Sequence, residues 1–279
     1  MIFKCGKFQL NFNRPHVMGI VNVTPDSFSD GGKFAQAHLA VEHALGLIEE
    51  GADILDIGGE STRPNAKPVN IQEELDRVMP VLEALVHQVN IPISIDTYKP
   101  QVMQAAIDAG VSIVNDVRAL QENGAIDTVA ASDVGVCLMH MQGTPQTMQI
   151  DPHYTDVVAE VKAFLQKRLV SCQEAGITKD RILLDPGFGF GKTRAHNLTL
   201  IQHLASFASL GQPLLVGLSR KSVLSQLNAG QVAGNNVESR LYASVAASVI
   251  SAMFGAKILR VHDVKATVEA LKVVTAIQP

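Results

Sequence analysis

The sequence predicts a (β/α)8 barrel, built as a single domain over residues 1–279. Three observations lead to that fold. Short apolar runs alternate with longer amphipathic segments eight times along the chain, which is the length and order such a barrel requires. Glycines punctuate the ends of the amphipathic segments, as they do after helices. The first apolar run leads into Asn22-Val23-Thr24-Pro25, where a doubly wound open sheet would carry its glycine fingerprint.

The strands fall in order at His16–Val23, Ile54–Ile57, Ile93–Asp96, Ile113–Val117, Val136–Met139, Ile182–Asp185, Leu214–Gly217 and Ile258–Val261. They read as continuous apolar runs because a parallel strand covered on both faces has no wet side. Between them lie helical patterns at Leu39–Glu50, Gln72–Gln88, Gln101–Ala109, Asp156–Ala175, Asn197–Ala208 and Ser239–Phe254. Gly51, Gly110, Gly176 and Gly255 stand where helices should stop. A last helix runs from Val264 to Ala276, with Asp263 placed to cap it. The stretch Asn228–Asn236 is a polar Gly/Asn loop that interrupts the seventh helical region, and no composition shift marks a second domain.

Composition narrows the function classes. Apolar residues make up 47% of the chain, in keeping with a buried parallel sheet. No uninterrupted apolar run reaches the ~18–20 residues of a membrane span. The opening MIFKCGKFQL has no signal-peptide core, so a cytoplasmic protein without a membrane partner is expected. Net charge is -4, with no basic stripe and no tryptophan, which argues against nucleic acid. Cys5, Cys137 and Cys172 are odd in number and lack C-x-x-C spacing. A disulfide framework or structural zinc site is therefore not expected, and Cys137, inside an apolar run, reads as a small core residue.

Barrel active sites sit at the C-terminal ends of the strands, so polar residues there need a reason. Strand ends deliver Asn22, Asp56 with Glu60, Asp96, Asn115 with Asp116, His140, Asp185, Ser219 with Lys221, and Arg260 with His262. Helix caps account for some of these, but not for the full set. Asp96, Asn115 and Asp185 suit a flat heterocycle with several N–H donors. A buried carboxylate needs a partner, which a ligand or Lys221 would supply. Arg63, Lys221, Arg260 and His262 suit an anion such as phosphate or pyrophosphate. Asn22 offers an amide oxygen to Mg²⁺, which takes few protein ligands. Ser222, opening a helix beside Lys221, could anchor an anion or simply cap that helix. His140, alone between two methionines, reads as a satisfied core or rim residue, and the other helical and loop histidines as solvated surface.

One loop tests these readings. Asp185–Lys192, DPGFGFGK, looks like a phosphate cradle but is too short for a P-loop and has the wrong spacing for a dinucleotide loop. It is better read as a strand ending in a functional Asp185, then a sharp glycine turn.

Eight motifs, in order, resemble the dihydropteroate synthase family, most closely its bacterial single-function form. They are GIVNVTPDSFSDGG (Gly19–Gly32), GGESTRP (Gly58–Pro64), SIDTYKP (Ser94–Pro100), NDVRAL (Asn115–Leu120), LMHMQGTPQTMQ (Leu138–Gln149), LDPGFGFGK (Leu184–Lys192), GLSRKS (Gly217–Ser222) and RVHDV (Arg260–Val264).

The resemblance implies a pterin-binding barrel. Its reaction joins 6-hydroxymethyl-7,8-dihydropterin pyrophosphate to 4-aminobenzoate, releasing pyrophosphate and 7,8-dihydropteroate for folate synthesis. It implies that Asp96, Asn115, Asp185 and Lys221 hold the pterin, with Met139 and Gly217 also lining the substrates. Thr62, Arg63, Arg260 and His262 would face the pyrophosphate. Phe28, Pro64, Phe190 and Ser222 would form the aminobenzoate side, where sulfonamides compete. Asp96, Lys221, Arg63 and His262 would act at the reacting centre, and Asn22 would bind Mg²⁺. A homodimer is also implied. Two alternatives share parts of this pattern. A folate-dependent methyltransferase would use the pterin-facing Asp and Asn residues but has no need of the cation set. An inactive pterin-binding module would not need every charged position present here.

Overall fold

A computed structural model describes residues 1–24, 33–62, 66–225 and 240–277. The chain opens with a two-stranded antiparallel hairpin, β1 (Ile2–Cys5) and β2 (Phe8–Asn11), which the strand pattern in the sequence does not reveal. Eight parallel strands follow: β3 (His16–Asn22), β4 (Ile54–Gly58), β5 (Ile93–Asp96), β6 (Ile113–Asp116), β7 (Gly135–Met139), β8 (Ile182–Asp185), β9 (Leu214–Val216) and β10 (Ala256–Val261). They close into a barrel in chain order, with β10 pairing back onto β3. The predicted fold is the observed one.

The helices are α1 (Lys33–Glu49), α2 (Ile71–Val86), α3 (Pro100–Ala109), α4 (Ala125–Ala130), α5 (Val157–Glu174), α6 (Arg194–Gln202), α7 (Ser222–Ser225), α8 (Leu241–Met253) and α9 (Val264–Ile277). Local chemistry sets several ends. Asn70, Asp156 and Thr193 cap α2, α5 and α6 through their side-chain oxygens. Asp263 stands directly before α9, its backbone carbonyl accepting the Thr267 N–H at 3.2 Å, while Arg220 donates to its carboxylate at 3.0 and 2.5 Å. The predicted segment Asn197–Ala208 divides into α6 and a 3-10 stretch, Leu204–Leu210. The loop Asn228–Glu238 lies outside the described residues.

Side chains alternate along each strand, and the core splits accordingly. Val17, Val21, Leu55, Ile57, Ile95, Val114, Val136, Leu184, Val216 and Leu259 face outward into the layer beneath the helices. Met18, Ile54, Ile113, Cys137, Leu183, Leu215 and Ile258 face inward and join Phe3, Cys5 and Phe12 in a second core. The hairpin therefore plugs the N-terminal end of the barrel. Gly135, at the start of β7, accommodates the plug, because a Cβ there would meet the Phe3 ring at 2.3 Å. With that end sealed by apolar packing, the opposite rim is left for chemistry.

Candidate active site

Two residues further along four of the strands from the inward apolar layer, the inward positions turn polar. They are Asp56 on β4, Asn115 on β6, Asp185 on β8 and Arg260 on β10, joined by Asn22 and Asp96 at the ends of β3 and β5. Met139, the last residue of β7, is buried in the same position, and Gly217 lies just past β9. A Cβ on Gly217 would rest 3.7 Å from that of Arg260, so the bare backbone leaves the arginine stem its space.

Arg260 is the hub. Its Nε donates to Asp56 Oδ2 at 2.6 Å, and its Nη2 donates to Asp96 Oδ2 at 2.6 Å. Asn115 Nδ2 donates to the same Asp56 oxygen at 3.2 Å. Asp56 is completely buried; its place at a strand end was legible in the sequence, but its role was not. Burial disfavours the charged guanidinium, but Asp56 and Asp96 outweigh it and hold Arg260 above its ordinary value. Asp96 is pushed up to about 7, by burial first, against the pull of Arg260 and with Asp56 adding repulsion. The sequence offers a ligand or a cation such as Lys221 to complete the group of Asp96, Asn115 and Asp185; for Asp96 the cation in contact is Arg260, which also holds Asp56.

Asp185 and Lys221 form the other half. Asp185 Oδ1 accepts the Gly187 N–H at 2.7 Å, and burial raises this carboxyl against the attraction of Lys221. Lys221 Nζ donates to Phe188 O at 2.5 Å and sits 4.5 Å above the centre of the Phe190 ring. Burial lowers Lys221 to about 8, with Asp185 opposing and Arg260 reinforcing the shift. Three carboxylates and two cations thus share one inward rim.

The remaining expected residues are more dispersed. Thr62 is half-buried on the loop after β4. His262 Nδ1 lies 3.1 Å from Ser219 Oγ, which also accepts the His262 backbone N–H at 3.2 Å. Ser222 is exposed and opens α7, a helix of a single turn. Phe28, Arg63 and Pro64 lie outside the described residues. Asp116, paired with Asn115 in the sequence reading, has the outward parity. Its two oxygens accept the Arg118 and Leu120 N–H groups, each at 2.7 Å, so it shapes the loop behind the site.

Sequence reasoning missed two lysines as site builders. Lys99, from SIDTYKP, bridges Glu60 and Glu74 and so ties the loop carrying Thr62 to α2. Lys192, which ends DPGFGFGK, is buried against His140. Nothing local distinguishes either from a surface lysine, because their partners come from other βα units. His140 is a satisfied rim residue, as expected. His196 is more than surface: it completes the capping box with Thr193 and packs edge-on against Tyr154.

Among the described residues no three His, Cys, Asp or Glu side chains gather to hold an ion. Asn22, half-buried, brings an amide to the end of β3, on the same rim as carboxylates engaged by Arg260. That set fits Mg²⁺ bound mainly through substrate phosphates and water.

Comparison with known proteins agrees with this geometry. The family model described as pterin binding enzyme matches residues 18–262. A dihydropteroate synthase of Escherichia coli K12 is 52% identical over 268 residues, covering 96% of this chain and 93% of its own. A Xanthomonas albilineans dihydropteroate synthase solved with 4-aminobenzoic acid superposes with a TM-score of 0.92 at 53% identity, covering 99% of this chain and 98% of that one. A structure of the X. albilineans enzyme in complex with 7,8-dihydropteroate gives a TM-score of 0.89 at 50% identity, covering 100% and 99%. The closed barrel, its inward ring of acids, amide and cations, and these full-length matches establish that the chain belongs to the dihydropteroate synthases of the pterin-binding enzyme family.

Proposed function

We propose that the inward rim is where this dihydropteroate synthase condenses 6-hydroxymethyl-7,8-dihydropterin pyrophosphate with 4-aminobenzoate, giving 7,8-dihydropteroate and pyrophosphate for folate biosynthesis. The observation that carries the assignment of residues is the Asp56–Arg260–Asp96 chain beside Asp185 and Lys221 on one inward layer.

Asp185 and Asn115 meet the pterin N–H and carbonyl edges, and the Lys221 ammonium donates to a pterin acceptor. The C–O bond to pyrophosphate breaks with its electron pair leaving on oxygen. The methylene carbon becomes positive through conjugation with the ring, and Asp96 stabilises that charge. Arg260 and His262, with Arg63 and Thr62 from the neighbouring loop, stabilise the departing pyrophosphate. The neutral arylamine nitrogen then attacks the methylene carbon, and the resulting acidic anilinium gives its proton to the released pyrophosphate, so no strong protein base is needed. Phe190 supplies an apolar wall for the aminobenzoate ring, together with Phe28, Pro64 and Ser222. Met139 and Gly217 line the pterin side. Asn22 would hold Mg²⁺, which neutralises charge on the pyrophosphate when bound.

The chain works as a homodimer in a reducing cytoplasm in this reading. α8 and α9 pack together, and these helices with Phe254 just after α8 expose Tyr242, Met253, Phe254, Val273 and Ile277, apolar surface suited to a second copy. Cys5, Cys137 and Cys172 are all free and buried, which supports the compartment. Among the described residues no helix is long and apolar enough to cross a membrane. Purified protein mixed with the pterin pyrophosphate, 4-aminobenzoate and Mg²⁺ should release pyrophosphate and 7,8-dihydropteroate in equal amounts. Absence of both products overturns the assignment.

A further inference from the structure

Lys192 is only 3% exposed, yet the reaction gives it no task. Its Nζ reaches His140 Nδ1 at 2.9 Å, Gly187 O at 2.9 Å and Phe190 O at 3.0 Å, with a longer contact to His140 O at 3.4 Å. An ammonium has three N–H donors and no acceptor, so these surrounding acceptors are enough to satisfy it. Opposite a charged Lys192, Nδ1 accepts and the imidazole proton sits on Nε2. Burial, with the Lys192 charge adding, lowers His140 to about 2, in keeping with a neutral acceptor ring. Burial also lowers Lys192, with Asp185 opposing and Lys221 adding to the shift.

The acceptors belong to the loop that builds the site. Gly187 gives its N–H to Asp185 and its carbonyl to Lys192. Phe190 gives its carbonyl to Lys192 and its ring to Lys221. The loop can close this tightly only because Gly187 and Gly191 take left-handed φ values of 70° and 61°. A Cβ on Gly187 would stand 1.8 Å from His140 O, and one on Gly191 would stand 2.5 Å from Gln142 O. Tyr154 and Gln149 fasten the outer side through Gly191 O at 2.8 Å and Gly189 O at 2.7 Å.

We propose that Lys192 is a positioning residue: it clasps the 187–191 loop to His140 and thereby holds both Asp185 and the Phe190–Lys221 platform in their substrate-binding geometry. The inference rests on the synthase reading of this site. It makes Lys192 act through Phe190 and Asp185 rather than by touching substrate.

The test uses the full chain. Dihydropteroate formation by the unsubstituted protein checks the synthase reading first, so its failure is seen separately. Lys192→Met, which keeps the side-chain length and removes the donors, should still melt cooperatively. Its kcat/KM should fall at least tenfold, mostly through higher KM for both substrates. In a Phe190→Ala background the same change should cost less than threefold for 4-aminobenzoate, because the platform it supports is already gone. His140→Leu, which deletes the side-chain acceptor and spares the backbone carbonyls, should give a partial loss of the same kind. An unchanged kcat/KM, or the same tenfold cost in both backgrounds, overturns the proposal. A Lys192→Met chain with no cooperative melt overturns it too, since the lysine would then serve folding rather than positioning. An unchanged KM in folded His140→Leu overturns it independently of how Lys192→Met behaves.

Discussion

Arg260 Nε donates to Asp56 Oδ2 at 2.6 Å, joining residues 204 positions apart across the inward face of the barrel. β10 and β4 both flank β3, so closure of the sheet is what makes the pair possible. Breaking a buried pair from one side leaves a charge without its partner. Asp56→Ala should destabilise the fold by about 3–5 kcal/mol and lower kcat/KM, because Arg260 and Asn115 both lose their anchor. Urea unfolding with steady-state kinetics measures both, and a variant as stable as the parent would show that the pair is not coupled to the fold.

Asp185 is buried at the end of β8, with one oxygen bound to Gly187 N–H. Removing an acceptor built for a substrate N–H costs far more than removing apolar contact. Asp185→Ala should weaken pterin pyrophosphate binding by roughly 10⁴-fold. Calorimetric titration reads this directly. Affinity within tenfold of the parent would take Asp185 out of the site.

The pH profile should be bell-shaped in kcat/KM for the pterin substrate. As pH falls through about 7, Asp96 gains a proton and no longer stabilises positive charge. As pH rises through about 8, Lys221 loses its proton and its donor function. Stability should respond to Lys221 with the opposite sign on the alkaline side. Between about 8 and the ordinary 10.5, the unfolded chain holds a proton that the folded chain has released. Raising the pH across that window therefore favours the folded state from this group. Lys221→Met should remove the alkaline limb; a limb that persists would assign it elsewhere.

Lys99 bridges Glu60 and Glu74 behind the loop that carries Thr62. Lys99→Met leaves two carboxylates facing each other without a cation. It should cost about 3–5 kcal/mol of stability and raise KM for the pterin pyrophosphate more than KM for 4-aminobenzoate. Equal changes in the two constants would separate Lys99 from the pyrophosphate side.

Asn22 can be tested through the metal. Asn22→Ala should raise the Mg²⁺ concentration for half-maximal rate at least tenfold while leaving the melting temperature of the metal-free protein close to the parent's. An unchanged Mg²⁺ dependence would remove Asn22 from the metal's ligands.

The sequence by itself determined the barrel and most of its strand positions. Strands buried on both faces must be apolar throughout, so each leaves a readable run, and a polar residue ending such a run signals a site. Asp96, Asn115, Asp185 and Arg260 were legible for that reason. The N-terminal hairpin was not, because four-residue strands with alternating exposure carry little pattern. The eight motifs added the family, which spacing alone does not give. Tertiary structure decided who holds whom. Asp116 and Asn115 are neighbours in sequence, yet strand parity sends one to a loop behind the site and the other to its centre. Arg260 rests on Asp56 and Asp96, Lys99 on Glu60 and Glu74, and Lys192 on His140, each joining different βα units. Residue type fixes what a side chain can bond to. Only barrel closure, which sets parity and brings distant strand ends onto one rim, fixes the partner.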